Sequence, residues 1–308
     1  MYRYVARRLA EGVVTLLALS LLVFGSVHLT GSPEYFLIRG SEDVTPEIYA
    51  MVRKQLGLDK PFIVQYYIFL KRVVTKLDFG QSTYHQRSVR TMMMERIPNT
   101  LQLAGAGLLL GILLGVPLGI LSAVKRDSIF DKAGKLFAVA GMAAPQFWLA
   151  IMLILLFGAT LKWLPTYGKG DLSNLVLPAL SLGLSLAAAY MRLARSSMLE
   201  VLDSEYVRFA RIKGLRERQV IWKHAARNAV NPLLTFGGLS LAGLLNGSIV
   251  VEVIFAWPGV GRLMLEGVVQ RNFPLVEGTI LVSAFFFIVT SFIVDVLYGY
   301  ADPRIRVG

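Results

Sequence analysis

Few side chains in this sequence have the types and spacing that chemistry needs. Glu252 closes an apolar run in GSIVVEVIFAWPGVG, and Asp295 interrupts another in SFIVDVLYGYADPRIR. An ionisable group inside a membrane is a functional group by default, either an ion relay or a polar point on a transport pathway. Both residues fall near the end of a predicted span, where a hydrated or Arg-paired structural carboxylate costs little. His28, His85 and His224 are too far apart in sequence to make a metal-ligand spacing, and the absence of cysteine excludes disulfides and thiolate sites. No G-x-x-x-x-G-K-[ST] phosphate loop and no G-x-S-x-G nucleophile elbow occurs. A transport protein with no obvious relay and no nucleotide site must take its driving energy from a partner. The stretch DSEYVRFARIKGLRERQVIWKHAARN, residues 203–228, is where such a partner would bind. Its seven basic residues also fit a lipid-facing patch or, less well, a nucleic-acid surface, although they lie on a span-to-span connection rather than in a recognition module.

The elements that carry these residues are membrane helices. Hydrophobic residues make up 55% of the 308-residue chain and charged residues 17%, with a mean hydropathy of +0.58. That is too apolar for an ordinary soluble domain. A hydrocarbon core about 30 Å thick takes roughly 20 apolar residues per helix. Six stretches meet or approach that length: 9–29, 101–124, 136–161, 175–191, 233–251 and 280–300. In the fourth, Pro178 and Gly183 lower helix propensity but are tolerated in membrane helices. The first, led by MYRYVARR, reads as a retained anchor: its apolar run exceeds a signal-peptide core and no A-x-A-like site follows. A cleaved signal peptide is the alternative.

The net charge of +12 is informative through its location. Arg3, Arg7 and Arg8, then Lys125, Arg126, Lys132 and Lys135, the nine basic residues within 192–231, and finally Arg304 and Arg306 fall on one side. Short loops on the other side hold only Lys162, Lys169, Arg262 and Arg271. The excess places both termini and the basic stretch in the cytoplasm. On the opposite side, Asp59-Lys60-Pro61 predicts a turn, followed by a helix with an apolar stripe at Ile63, Tyr66, Tyr67, Leu70 and Val74. Packing against the outer ends of the spans accounts for that stripe.

Within the basic stretch, residues 206–213 contain no Gly or Pro and follow Asp203-Ser204, either of which can cap a helix. A period of 3.6 puts Tyr206, Phe209, Ala210 and Lys213 on one face and Arg208 and Arg211 on another. Gly214 supplies the stop. A second helix begins near Leu215 with Val220, Ile221 and Ala225 inward, and Asn231-Pro232 marks the entry to the fifth span. A helix of two turns is unstable alone in water, so it must be held by packing. Docking into a protein groove explains the glycine break and the aromatic pair as well as the charge.

Seven segments in order, LGLDKPFIVQYYIFL, ERIPNTLQLA, AAPQFWLAIML, LPTYG, LPALSLGLSLAAAYMRLARSSMLEVLDSEYVRFARIKGL, VEVIFAWPGVGRLMLEGVVQRNFPLVEG and VDVLYGYADPRIR, resemble the inner-membrane permease subunits of binding-protein-dependent ABC importers. The dipeptide and oligopeptide group is the nearest. The resemblance implies an all-α membrane protein with the six-helix type I importer permease fold and an extracytoplasmic insertion between helices 1 and 2. Its divisions would be an N-terminal helix (1–29), an extracytoplasmic region (30–95), a permease domain (96–299) containing the cytoplasmic coupling loop (192–231), and a cytoplasmic tail (300–308). It implies no catalysis and no cofactor on this chain, ATP being bound by partner subunits.

By the same resemblance, Tyr206, Val207, Arg208, Phe209, Ala210, Arg211, Lys213, Gly214 and Leu215 would form the helix that couples to the ATPase. Glu252 and Asp295 stand as pathway or structural groups. Where the wider superfamily has Glu-Ala-Ala, three residues and Gly, counting back from Gly214 gives Arg208, Phe209 and Ala210. Asn272 stands where the group usually has Asp, a change expected to alter only an outer loop. The implied partners are a second permease, two ATPase subunits or domains, an extracytoplasmic peptide-binding protein and membrane lipid, without nucleic acid. The implied location is the bacterial inner membrane, and the implied cargo is short peptides, with glutathione or nickel chelates as alternatives. An ion-driven carrier, the rival class, would need mid-membrane carboxylates or related broken helices, and no such repeat is found.

Overall fold

The computed structural model describes residues 2–30, 54 and 59–301. The predicted tail 300–308 beyond Ala301, with Arg304 and Arg306, and most of the predicted extracytoplasmic region before Asp59 lie outside the described residues. The structure is all-helical, with no strand among the described residues beyond a single bridge between Gln81 and Ser88. Five helices are long and apolar enough to cross a membrane, and a sixth crossing is made if one bent pair counts as a span. The chain divides into two compact units, Met1–Asn99 with Gly259–Ile288, and Thr100–Pro258 with Val289–Gly308.

In the first unit, α1 (Tyr2–Thr30) carries the first span, and α2 (Phe62–Lys76) follows the turn at Pro61. The expected α2 stripe is corrected by about a third of a turn. Ile63, Tyr67 and Val74 are exposed, whereas Phe69 is buried and Tyr66 and Val73 are partly so. The reason is the receiving surface on α1: Phe24 stacks on Phe69 with centroids 5.3 Å apart, and the Ser20 and Tyr66 hydroxyls are 2.7 Å apart. The stripe therefore follows Phe62, Tyr66, Phe69 and Val73, the i, i+4, i+7, i+11 register. Residues from the start of α3 (Val89–Val124), from α11 (Val260–Val269) and from the start of α12 (Phe273–Ala301) complete this core through Val89, Met92, Met93, Leu263, Leu275 and Leu281.

Asn272, expected to alter only an outer loop, is fully buried in this unit. Its Nδ2 donates to Ser82 Oγ at 2.6 Å and its Oδ1 accepts from the Thr83 amide at 3.3 Å. It ties the turn around Gln81 to the joint between α11 and α12, a role that uses both a donor and an acceptor.

The second unit is organised on α6 (Ser173–Leu202), which runs unbroken through Pro178 and Gly183 and on past the predicted span end at Met191. Glycines let two helices approach it closely. Along α3 they recur every fourth residue, Gly107, Gly111, Gly115 and Gly119, on one face of the helix. A Cβ added at Gly107 would lie 2.7 Å from Leu182 Cβ, and one at Gly115 2.6 Å from Tyr190 Cβ. Small residues at this spacing are how membrane helices gain dispersion contact without a hydrophobic driving force. On the α4 side (Ile129–Ala143), Gly141 meets Ala188 in the same manner.

The third predicted span, 136–161, is not one straight crossing. α4 ends at Ala143, and α5 (Gln146–Leu153), continued by a π-helical segment Ile154–Thr160, leaves at 105° to it. Pro145 is the cause. It cannot donate to the α4 ladder, and it drives the preceding Ala144 to an extended ψ of 124°. Each arm has 15 residues, about 22 Å of helix, short of the hydrocarbon thickness by itself.

After α6 come α7 (Glu205–Ile212), the short α8 (Glu217–Gln219), a π-helical turn Val220–Ala225, and α9 (Ala226–Gly247). Pro232 lies inside α9 rather than at its start, because the helix is already running from Glu217. The fifth predicted span also stops earlier than Val251: α9 ends at Gly247, and α10 (Ile249–Ile254) is a separate short helix.

Candidate functional site

The predicted coupling segment forms as a helix with two faces of different character. Ser204 occupies the N-cap position, yet its side chain makes no capping bond; its hydroxyl donates back to the Val201 carbonyl at 2.5 Å. Asp203 is the residue that ends α6. Inward, Val207 is 0% exposed and Ala210 is buried, both packed on Val220 with Val201 and Leu202. Outward, Phe209 is 62% and Ile212 79% exposed, beside the exposed Arg208 and Lys213. The expected face of Tyr206, Phe209, Ala210 and Lys213 is therefore corrected. Ala210 turns toward its own chain because Val220 offers an apolar surface there, and the apolar knob left open is Phe209 with Ile212.

Gly214 makes the turn at φ +75°, in open space, where a side chain would be strained. Its amide donates to the Arg211 carbonyl at 2.9 Å, and the Leu215 amide donates to the Ala210 carbonyl at 3.4 Å, closing the helix end. Arg211 then grips Glu217 with two bonds, Nη2 to Oε1 at 2.8 Å and Nε to Oε2 at 3.2 Å. The carboxylate pushes the Arg211 pKa above its ordinary value. At the other end, Asn228 Nδ2 donates to Tyr206 Oη at 2.7 Å, and Tyr206 Oη donates to the His224 carbonyl at 3.3 Å. Two turns of helix are thus fastened by polar bonds at both ends and by a small apolar cluster between them.

The two acidic residues are not part of this assembly. Glu252 is fully buried within the protein rather than hydrated, on α10. There its Oε1 accepts from Thr100 Oγ1 at 2.8 Å and from Ser248 Oγ at 3.1 Å. Asp295 lies half-buried on α12, near the helix end. The three histidines sit on α1, in the turn after Gly80 and in the π-helical turn.

A cluster missed in the sequence lies around Asp131, which is fully buried. Arg195 of α6 binds it with Nε to Oδ1 at 2.7 Å and Nη2 to Oδ2 at 3.0 Å, Lys135 Nζ is 2.9 Å from Oδ2, and Ser122 Oγ and the Asp127 amide also donate to it. The clamp joins the end of α3, the start of α4 and the far end of α6. A sequence signal existed in Ser128-Ile-Phe-Asp131, the S-x-x-D pattern of a helix N-terminus. Ser128 does cap α4, accepting from the Asp131 amide at 3.4 Å.

Comparison with known proteins agrees with this architecture. Residues 115–307 match the binding-protein-dependent transport system inner membrane component, and residues 1–104 match the N-terminal part of such membrane components. The glutathione transport system permease protein GsiC of Salmonella choleraesuis (strain SC-B67) is 40% identical over 306 residues, 99% of each chain. That of Escherichia coli (strain K12) is 39% identical over the same length and coverage. Among solved structures, an amino acid ABC transporter crystallised with histidines aligns at a TM-score of 0.55 and 14% identity, over 68% of this chain and 94% of the other. An inward-facing MetNI methionine ABC transporter aligns at 0.55 and 17% identity, over 68% and 96%. At those identities the solved structures establish the fold, that of the type I ABC importer permeases. The long, near-complete match to the permease sequences establishes the lineage: the chain belongs to the binding-protein-dependent transport system inner membrane components, the multi-pass, inner-membrane permease subunits of ABC importers.

Proposed function

We propose that this permease subunit forms one half of a translocation pathway for short peptides, with α7 docking into an ATPase subunit on the cytoplasmic side. The observation that carries the docking role is the outward face of α7. Phe209 and Ile212 stand exposed among Arg208 and Lys213, on a helix anchored on its other side by Val207 and Ala210. A rigidly held apolar knob with a cationic rim fits a groove with an apolar floor and acidic lip. Gly214 sets the turn that lets Leu215 follow. The basic excess beside this helix supports cytoplasmic termini and a cytoplasmic α7.

In this reading ATP-driven closure of the partner ATPases displaces α7 and shifts the spans between two arrangements, while this chain contributes their relative stability and no covalent step. A second permease completes the pathway, and an extracytoplasmic binding protein delivers the cargo. Support for the cargo class comes from relatives named as glutathione permeases along nearly their whole length, glutathione being a tripeptide. Glu252, bonded to two hydroxyls in a buried position, serves structure at the joint of α9 and α10, and Asp295 is read as a structural carboxylate near the end of α12. The test is association of the purified ATPase subunits with membranes carrying the wild-type chain or Phe209→Asp, together with ATP-dependent uptake of glutathione and of unmodified tripeptides. Phe209→Asp is expected to abolish association. Undiminished association rejects the docking role, and uptake of neither cargo rejects the peptide class.

A further inference from the structure

α7 is fastened to both ends of one irregular turn. The segment Val220–Ala225 is π-helical and stands between α8 and α9, inside what is otherwise a continuous helix from Glu217 to Gly247. A π turn of this kind leaves the ladder locally wide and recurs at functional sites. Before it, Glu217 takes two bonds from Arg211. Near its end, the His224 carbonyl accepts from both Tyr206 Oη at 3.3 Å and Asn228 Nδ2 at 3.1 Å. After it, Asn228 Nδ2 also reaches Tyr206 Oη at 2.7 Å, while Val220, the first residue of the turn, is buried against Val207 and Ala210. Asn228 belongs to the first turn of α9, the helix that leads into the fifth span.

Resting on the docking role of α7, we propose that Glu217 and Asn228 are positioning residues that lock α7 to the two flanks of the π-helical turn, making that turn the link by which movement of the docked helix enters α9. Neither residue need touch the ATPase. Glu217 acts through Arg211, and Asn228 acts through Tyr206 and the His224 carbonyl. With both links present, α7, the π turn and the start of α9 move as one body. With both cut, only the apolar cluster around Val220 and the long Tyr206–His224 carbonyl bond remain, and displacement of α7 is largely absorbed before it reaches the span.

The test uses the full importer complex in membrane vesicles with Glu217→Ala, Asn228→Ala and the double variant, reading ATPase association, ATP hydrolysis and glutathione uptake. The expected result is unchanged association and sustained ATP hydrolysis, with uptake per ATP lowered about fivefold in the double variant, as the loss of two exposed polar links predicts. The swapped pair Arg211→Glu with Glu217→Arg is expected to recover uptake relative to Arg211→Glu alone. Unchanged uptake per ATP in the double variant overturns the proposal. Loss of association in Glu217→Ala or Asn228→Ala also overturns it, by making these residues part of docking. Phe209→Asp run alongside separates the two ideas: if it fails to weaken association, the docking role has failed, whatever the double variant does.

Discussion

The seam between α3 and α6 and the attachment of α7 to the helix after it hold helices together by opposite means. The seam has no room: four glycines on α3 bring it against Leu182, Leu186, Tyr190 and Ala194 so closely that added Cβ atoms would collide. The α7 attachment has room on every side but one, and relies on an Arg–Glu pair, a Tyr–Asn bond and a few apolar side chains. Close-packed contact permits essentially one arrangement, because packed interiors do not deform continuously. A few exposed polar links fix one element to another at a handful of points while each adds little to stability. The first suits a frame, and under the proposed docking role the second suits a part that passes on a push.

The comparison can be broken most forcefully at the seam. Replacing both Gly111 and Gly115 by leucine forces two side chains into the α6 backbone, with an expected loss of about 5 kcal/mol or more. The measurement is recovery of monodisperse protein after detergent extraction, and normal recovery would mean the seam is not close-packed. Next in size is the Asp131 clamp. Asp131→Ala leaves Arg195 partly buried without its bidentate carboxylate, with an expected loss of about 4 kcal/mol in thermal unfolding. Asp131→Ala with Arg195→Met is expected to recover much of that loss, since the pair then no longer leaves a lone charge.

On the α7 side the expected effects are smaller in stability and larger in association. Phe209→Asp changes an exposed side chain, so unfolding is expected to shift by less than about 0.5 kcal/mol. ATPase binding is expected to weaken by at least about 2 kcal/mol, the size of an interface anchor. A stability loss comparable to the seam variants would show that Phe209 is packed in its own chain. Smallest is Gly214→Ala, which places a Cβ at φ +75° in open space. It is expected to cost about 1 kcal/mol from backbone conformation alone. Unfolding measured beside Phe209→Asp checks this, and an effect near zero would mean the turn can relax.

Much of this architecture is legible in the chain because the bilayer makes a simple demand, a run of apolar residues of sufficient length. α1, α3, α6 and α12 all follow from that demand, and the helix–glycine break at Gly214 follows from local backbone preference. Where the structure departs from the periodicity, a neighbouring surface decides. The α2 stripe was rotated by Phe24 of α1, and Ala210 was turned inward by Val220. Periodicity shows that a helix has an apolar side but not which of two adjacent rows meets the larger surface. The bend at Pro145 was open to prediction, since proline both lacks the N–H and restricts Ala144; hydropathy counted across 136–161 concealed it.

The sequence by itself determined that this is a helical membrane protein, how many apolar runs it has, and that its basic stretch contains a short helix stopped by Gly214. Those features depend on composition and local backbone preference, which a chain carries wherever it folds. Only the tertiary structure decided which charges are buried and which groups act together. Asp131 and Arg195 are 64 residues apart, as are Thr100 and Glu252 by 152. Pairings at that separation exist because helices pack, and packing depends on the shapes of both surfaces at once.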